Sequence, residues 1–183
     1  SASQNNEIKY VVVGRVHDTT LLLSVPSEST KKAYAEEYKK EGQDILVNLR
    51  SSQAYAELRD QTESLYGNWF INCDKNLLAF CVLTDADFKT SQAYQFLREL
   101  QQTVYQNEPR LQSEADTIPS LLPCREKVAQ FMGSYMANKK GDKVAIAQQK
   151  VDEARMHMEE NVRKMITNQQ DFNDLEGKSA SIR

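Results

Sequence analysis

The sequence predicts an α+β fold: a five-stranded antiparallel sheet flanked by helices, followed by a coiled-coil segment. Three observations carry this. Short apolar and β-branched runs come in groups, two near the start and three more after a helix, which favours hairpins over a doubly wound sheet. Around these runs lie stretches with apolar residues at helical spacing. From Val144 to Ile182 the pattern changes to a repeat of seven with two seam positions, which winds helices around one another.

The elements follow in order. Ile8 to Val13 is rich in β-branched residues and reads as a strand, and Thr19 to Val25 reads as its partner across a His17-Asp18 turn. Pro26 and Ser27 end the pairing. A helix is predicted from about Ser29 to Ser51, capped by Ser29 or Thr30, with Tyr34, Tyr38, Ile45 and Leu49 near one face. Gly42 inside it weakens the helix by roughly 1 kcal/mol relative to Ala.

Thr62 to Tyr66 is the expected third strand, Gly67-Asn68 a tight turn, and Trp69 to Cys73 the fourth strand. After Asp74-Lys75-Asn76, the run Leu77 to Leu83 is apolar throughout and belongs in the middle of the sheet. Thr84-Asp85 offers a cap for a helix from Ala86 to Gln106, striped by Ala93, Phe96, Leu97, Leu100 and Val104. A loop with Pro109, Pro119 and Pro123 leads to a last helix through Val128, Phe131, Met132, Tyr135 and Met136.

The polar stretch Asn138-Lys139-Lys140-Gly141-Asp142 carries a helix-ending Gly. It divides the chain into a globular domain over 7–138, a linker over 139–143 and a heptad segment over 144–183. The seam positions are Val144, Ala147, Val151, Ala154, Met158, Met165, Phe172, Leu175 and Ile182, interrupted by Asn161, Asn168 and Ser179. Asp152, Glu153, Arg155, Glu159, Glu160, Arg163 and Lys164 lie between them and suit water.

Composition sets the function classes aside one by one. A net charge of −3 gives no concentrated basic face for nucleic acid. No basic stretch followed by an apolar core opens the chain, so no secretory signal is expected. The longest apolar run is far short of the ~20 residues of a membrane-spanning helix. Cys73, Cys81 and Cys124 lack paired spacing and a nearby His, and read as small core residues in a reducing compartment. Asp85 and Asp87 suit capping better than paired acid–base work, and neither His17 nor His157 has a nucleophile or metal partner. Without a Gly-rich phosphate loop, a nucleophile elbow or a His-Glu-x-x-His segment, no enzyme and no cofactor is expected.

Leu78-Ala-Phe-Cys-Val-Leu-Thr-Asp-Ala-Asp-Phe88, followed by Tyr94-Gln-Phe-Leu-Arg-Glu-Leu100, resembles the fifth strand and second helix of longin (profilin-like) domains. Gln149-Lys-Val-Asp-Glu-Ala154, Glu160-Asn-Val-Arg-Lys-Met-Ile166 and Asp174-Leu-Glu-Gly-Lys178 resemble an R-SNARE motif. Together these cover nearly the whole chain, which is thus similar to the longin R-SNAREs, or vesicle SNAREs. Gly14-Arg-Val-His-Asp18 and Leu175-Glu-Gly-Lys-Ser-Ala-Ser-Ile182 are most similar to the ER–Golgi members, whereas Leu83-Thr-Asp-Ala-Asp-Phe88 looks more like endosomal longin VAMPs.

The resemblance implies membrane fusion in vesicle-mediated protein transport, on the cytosolic face of ER, Golgi or vesicle membranes. The implied partners are Q-SNAREs in a four-helix bundle, a SNARE-disassembly ATPase with its adaptor, and vesicle coat proteins. It also implies further heptads and a membrane anchor beyond Arg183, so the covered SNARE motif is expected to be truncated. A groove between the first helix (Ile45, Leu46, Leu49) and the third strand near Leu65 is expected to hold the tail around Met158 to Met165. One departure stands out: the central-layer Arg of R-SNAREs falls on Asn168, shorter and uncharged but able to donate and accept hydrogen bonds. That leaves two readings open, a fusion SNARE and a non-fusogenic longin/SNARE-like adaptor or inhibitory SNARE.

Overall fold

A computed structural model of the chain describes residues 7–53 and 57–138; the expected linker and SNARE motif lie outside the described residues. The elements are β1 (Ile8–Arg15), β2 (Thr20–Pro26), α1 (Lys32–Ser52), β3 (Arg59–Ser64), β4 (Gly67–Cys73), β5 (Leu78–Thr84), α2 (Thr90–Asn107), the short α3 (Leu111–Glu114) and α4 (Arg125–Asn138), the last preceded by a 3-10 turn at Leu122–Cys124. All five strands join one sheet in the order β2-β1-β5-β4-β3, and every neighbouring pair is antiparallel. The expected α+β class with a five-stranded antiparallel sheet is what the chain adopts.

The two-residue side-chain period of a strand divides the core between the faces of the sheet. Tyr10 and Val12 of β1, Trp69 and Ile71 of β4 and Ala79, Cys81 and Leu83 of β5 pack with Tyr38, Ile45, Leu46 and Leu49 of α1. Val11 and Val13 of β1, Phe70 of β4 and Phe80 and Val82 of β5 pack with the stripe Ala93, Phe96, Leu97, Leu100, Val104 of α2 and Val128 and Met132 of α4. Helices thus cover both faces, and all of β5 is buried. An unbroken apolar run fits only such a central strand. Cys73, Cys81 and Cys124 are free and buried.

The glycine that weakens α1 by propensity has a packing reason. A Cβ built on Gly42 would lie 2.7 Å from Val12 Cγ2, and one on Gly14 of β1 would lie 2.4 Å from Leu46 Cδ1. Helix and strand interlock through these two positions at a separation that a side chain would widen.

Three elements start three or more residues from where the sequence places them. Helix α1 starts at Lys32 rather than Ser29, because the Thr30 hydroxyl donates to the Lys9 carbonyl at 2.7 Å and pins the loop to β1 instead of capping. The third strand is Arg59–Ser64, so Leu65-Tyr66 rather than Gly67-Asn68 forms the turn to β4. Helix α2 starts at Thr90 rather than Ala86. Asp85 instead accepts the Glu7 N–H at 2.9 Å and pairs with Lys9 Nζ at 3.2 Å.

At the other end of β1, buried Arg15 holds the connection between α3 and α4. Its Nη1 donates to the carbonyls of Ala115 at 2.9 Å and Ile118 at 2.7 Å, while Nε and Nη2 grip the Asp18 carboxylate. Those guanidinium bonds, with smaller help from Thr20, hold the Asp18 carboxyl well below the usual carboxylate range. With the folded value below an unfolded one of about 3.9, the stabilisation is complete above the unfolded value and is lost as pH falls below it. Asp18 is partly solvated, so Asp18→Asn is expected to cost only about 0.5–1 kcal/mol at neutral pH. Urea unfolding should show that difference shrinking at about pH 2 to 3.

Candidate functional site

The seam positions Val144, Ala147, Val151, Ala154, Met158, Asn161, Met165, Asn168, Phe172, Leu175, Ser179 and Ile182 lie outside the described residues. The four groove residues lie within them. Ile45, Leu46 and Leu49 are 1%, 0% and 0% exposed, whereas Leu65 is 94% exposed at the tip of the β3–β4 hairpin. The three α1 residues are needed to seal the helix onto the sheet and have no surface left to offer.

What the margin of α1 and the hairpin does present is a tyrosine cluster. Tyr34 and Tyr38, one helical turn apart, stack with ring centroids at 6.2 Å. Tyr66 meets both edge-on at 6.0 and 5.1 Å, and Tyr10 of β1 meets Tyr38 at 5.8 Å from below. The cluster runs from the buried Tyr10 to Tyr34, which is 47% exposed beside Tyr66. Aromatic rings graded from core to solvent, next to an exposed Leu, offer a partner rigid apolar area that needs little ordering on binding.

A half-buried acid anchors the margin. The Glu41 carboxylate accepts the Trp69 indole N–H at 2.8 Å and the Ser64 hydroxyl at 2.8 Å, joining α1 to β4 and β3. Burial pushes its carboxyl above the ordinary value, and those two hydrogen bonds only partly offset this. The raised value has a definite sign: ionised Glu41 costs stability above its folded value, and protonation lifts that cost as pH falls through it. Glu41→Gln keeps an acceptor and removes the charge, so it is expected to be near-neutral or stabilising at neutral pH. Glu41→Leu strands the indole N–H and the hydroxyl and is expected to cost about 2 kcal/mol. Chemical unfolding of both variants at neutral pH checks the contrast.

Beside the cluster, at the end of the sheet where β1 starts and β5 ends, lies an open cleft of about 570 Å³. Its lining includes Lys9, Glu63, Leu65, Tyr66, Gly67 and Asp85. Gly67 has φ +144°, and a Cβ there would stand 1.9 Å from the Thr84 carbonyl oxygen. Hairpin tip and β5–α2 loop approach this closely because the residue is glycine.

Of the residues weighed for chemistry, His17 and Asp18 lie in the β1–β2 turn, and Asp85 is occupied by Glu7 and Lys9. Among the described residues no group of three His, Cys, Asp or Glu is placed to hold a metal ion, and no helix is long and apolar enough to cross a membrane. Sequence reasoning found Tyr34 and Tyr38 on one helix face but missed Tyr10 and Tyr66, which only the sheet brings to them, and Glu41, one turn after Tyr38 on the same helix. Glu41 carries no sequence signal, since it sits among charged neighbours of similar type. Compared with known proteins, the sequence matches no family model and no curated protein.

Proposed function

We propose that the chain is a longin-domain vesicle SNARE that pairs with Q-SNAREs in a four-helix bundle to drive membrane fusion, in ER–Golgi traffic. One observation carries the reading: a two-faced α+β domain of a layout compatible with a longin domain stands directly before a heptad seam in the same chain. A single narrow stripe buries too little apolar surface to offset the ordering of its own backbone. Three partner helices surround the stripe, and zippering toward the anchors draws two membranes together. On this reading the domain regulates assembly and is read by vesicle coat proteins, and a disassembly ATPase with its adaptor ends the cycle. No catalytic residue and no cofactor takes part.

Asn168 favours a second reading, a longin/SNARE-like adaptor or inhibitory SNARE that binds Q-SNAREs without fusing membranes. A lone polar residue in a coiled-coil seam fixes register at some cost in stability, with or without charge. Liposome fusion with the protein on its membrane anchor separates the two. Lipid mixing with cognate Q-SNAREs supports the fusion SNARE, a bound but inert complex supports the inhibitor, and no complex at all removes both.

The central layer has its own test. Asn168→Arg sets a guanidinium opposite the glutamines of the partner helices, where charge-assisted hydrogen bonds become available. The assembled complex is expected to be at least as heat-resistant as the parent. A large fall in its melting temperature would put the central layer elsewhere.

A further inference from the structure

We propose that Glu41 is a proton-operated catch on the β3–β4 hairpin: its carboxylate holds the tip at Leu65-Tyr66 through Ser64, and protonation slackens that hold. The inference stands on the domain alone and does not depend on the SNARE reading.

The first ground is a chain of hydrogen bonds that ends on one group. The Tyr66 N–H donates to Ser64 Oγ at 3.0 Å, and the Ser64 hydroxyl donates to Glu41 Oε1 at 2.8 Å and Oε2 at 3.0 Å. The Trp69 indole N–H donates to the same Oε1 at 2.8 Å. Every proton in this chain points toward the carboxylate, so its charge sets the direction of the bonds. Tyr66 is a turn residue between Ser64 and Gly67, the pair that closes the β3–β4 ladder. Its ring meets those of Tyr34 and Tyr38 at 6.0 and 5.1 Å. What holds Tyr66 therefore also sets how the exposed Leu65 and the tyrosine margin stand.

The second ground is what protonation does to those bonds. A neutral carboxyl carries one O–H to donate, and neither N–H of the chain is able to receive it. Donated to Ser64 Oγ, it forces the hydroxyl proton to turn, either against the Tyr66 N–H or away from any carboxylate. Turned to water, it leaves Ser64 and Trp69 on a neutral acceptor, where their bonds lose charge assistance and about half their strength. In each arrangement the grip on Tyr66 weakens, while the backbone ladder between β3 and β4 stays as it is.

The third ground is the setting. Glu37 and Asp44 lie one turn away on α1 and add negative potential, while Tyr38 on α1 and Tyr66 on the hairpin bring neutral phenols. Among the described residues no ion pair reaches Glu41. Lys40 acts on Asp44, and Lys9 is engaged by Asp85 and the Tyr66 carbonyl. Burial beside two acids and no cation favours the neutral form, in agreement with the raised carboxyl value. One proton then has opposite effects in two places. It relieves the domain of a costly charge and slackens the tip that the charge was holding.

The test is an NMR pH titration of the full chain, in which Trp69 is the single tryptophan and gives one indole N–H signal. From neutral pH down to about pH 4, the indole and Tyr66 amide signals are expected to move together, with one midpoint above the ordinary glutamate value. Over that range the protection of the Tyr66 amide, corrected for the intrinsic pH dependence of exchange, is expected to fall about fivefold, as weakening one hydrogen bond implies. In Glu41→Gln neither signal titrates, and Tyr66 protection at neutral pH is already at its low-pH level. In Ser64→Ala the indole still titrates and Tyr66 does not follow. Different midpoints for indole and Tyr66 in the parent overturn the proposal without any variant. So does a Tyr66 signal that stays constant while the indole titrates, or an indole that does not titrate at all. Tyr66 titration that survives Glu41→Gln also overturns it, and moves the proton site to Glu63 or Asp85 in the neighbouring cleft.

Discussion

Met165→Asp or Phe172→Asp is expected to abolish capture of cognate Q-SNAREs, while Glu159→Ala leaves it nearly intact. Met165 and Phe172 are seam positions of the heptad pattern, and Glu159 lies between seam positions. Burying either apolar side chain in a four-helix bundle is worth about 1.5–3 kcal/mol. An unpaired carboxylate in its place adds a desolvation penalty of several kcal/mol. A combined loss beyond about 4 kcal/mol weakens binding roughly a thousandfold, which a pull-down reads as no complex. Equal losses from seam and wet-face substitutions would overturn the assignment of the seam.

The largest expected effect on stability comes from a single methyl group. Gly67→Ala places a Cβ 1.9 Å from the Thr84 carbonyl oxygen, at a residue whose φ is +144°. Strain of about 1–3 kcal/mol from the backbone conformation adds to a similar amount from the clash. The obstacle is a main-chain oxygen of the central strand, so no side chain can rotate away. A loss of about 3 kcal/mol or more is expected, with a fall of roughly 10 °C in melting temperature. Gly133, where an added Cβ meets nothing within 4 Å, supplies the control: Gly133→Ala lies in a helix and should be neutral or slightly stabilising. A Gly67→Ala protein as stable as the Gly133→Ala protein would contradict the packing described here.

Residues that obey one strong rule made the fold legible. The run Leu77 to Leu83 reads as a central strand, and the α2 stripe is buried at each of its five positions. Strand β3 was harder, because Arg-Asp-Gln-Thr-Glu-Ser has no apolar alternation, and Arg59, Asp60 and Thr62 are polar yet buried. Leu65 drew the expected strand toward itself, since an apolar residue reads as belonging inside, and here it stands at a turn. Ser29 and Thr30 carry capping chemistry that any sequence rule credits to α1, but Thr30 serves the Lys9 carbonyl. Pairing of β1 with β5 had no local signature at all. For the site, spacing within one helix revealed Tyr34 and Tyr38. Tyr10 and Tyr66 join them only through that long-range sheet order.

The pairing of β1 with β5 governs timing as well as shape. Ile8 cannot meet Thr84 until the whole span between them is available, so the sheet closes late and through non-local contacts. Helix α4 must still follow, and it completes the second face near Asn138. A ribosome adds about 5–20 residues per second, which leaves a few seconds between synthesis of α4 and of Ile182. Domains of this kind fold in milliseconds to seconds. Every residue of the tyrosine margin and the cleft precedes the heptad segment in the chain, so these surfaces leave the ribosome before that segment does.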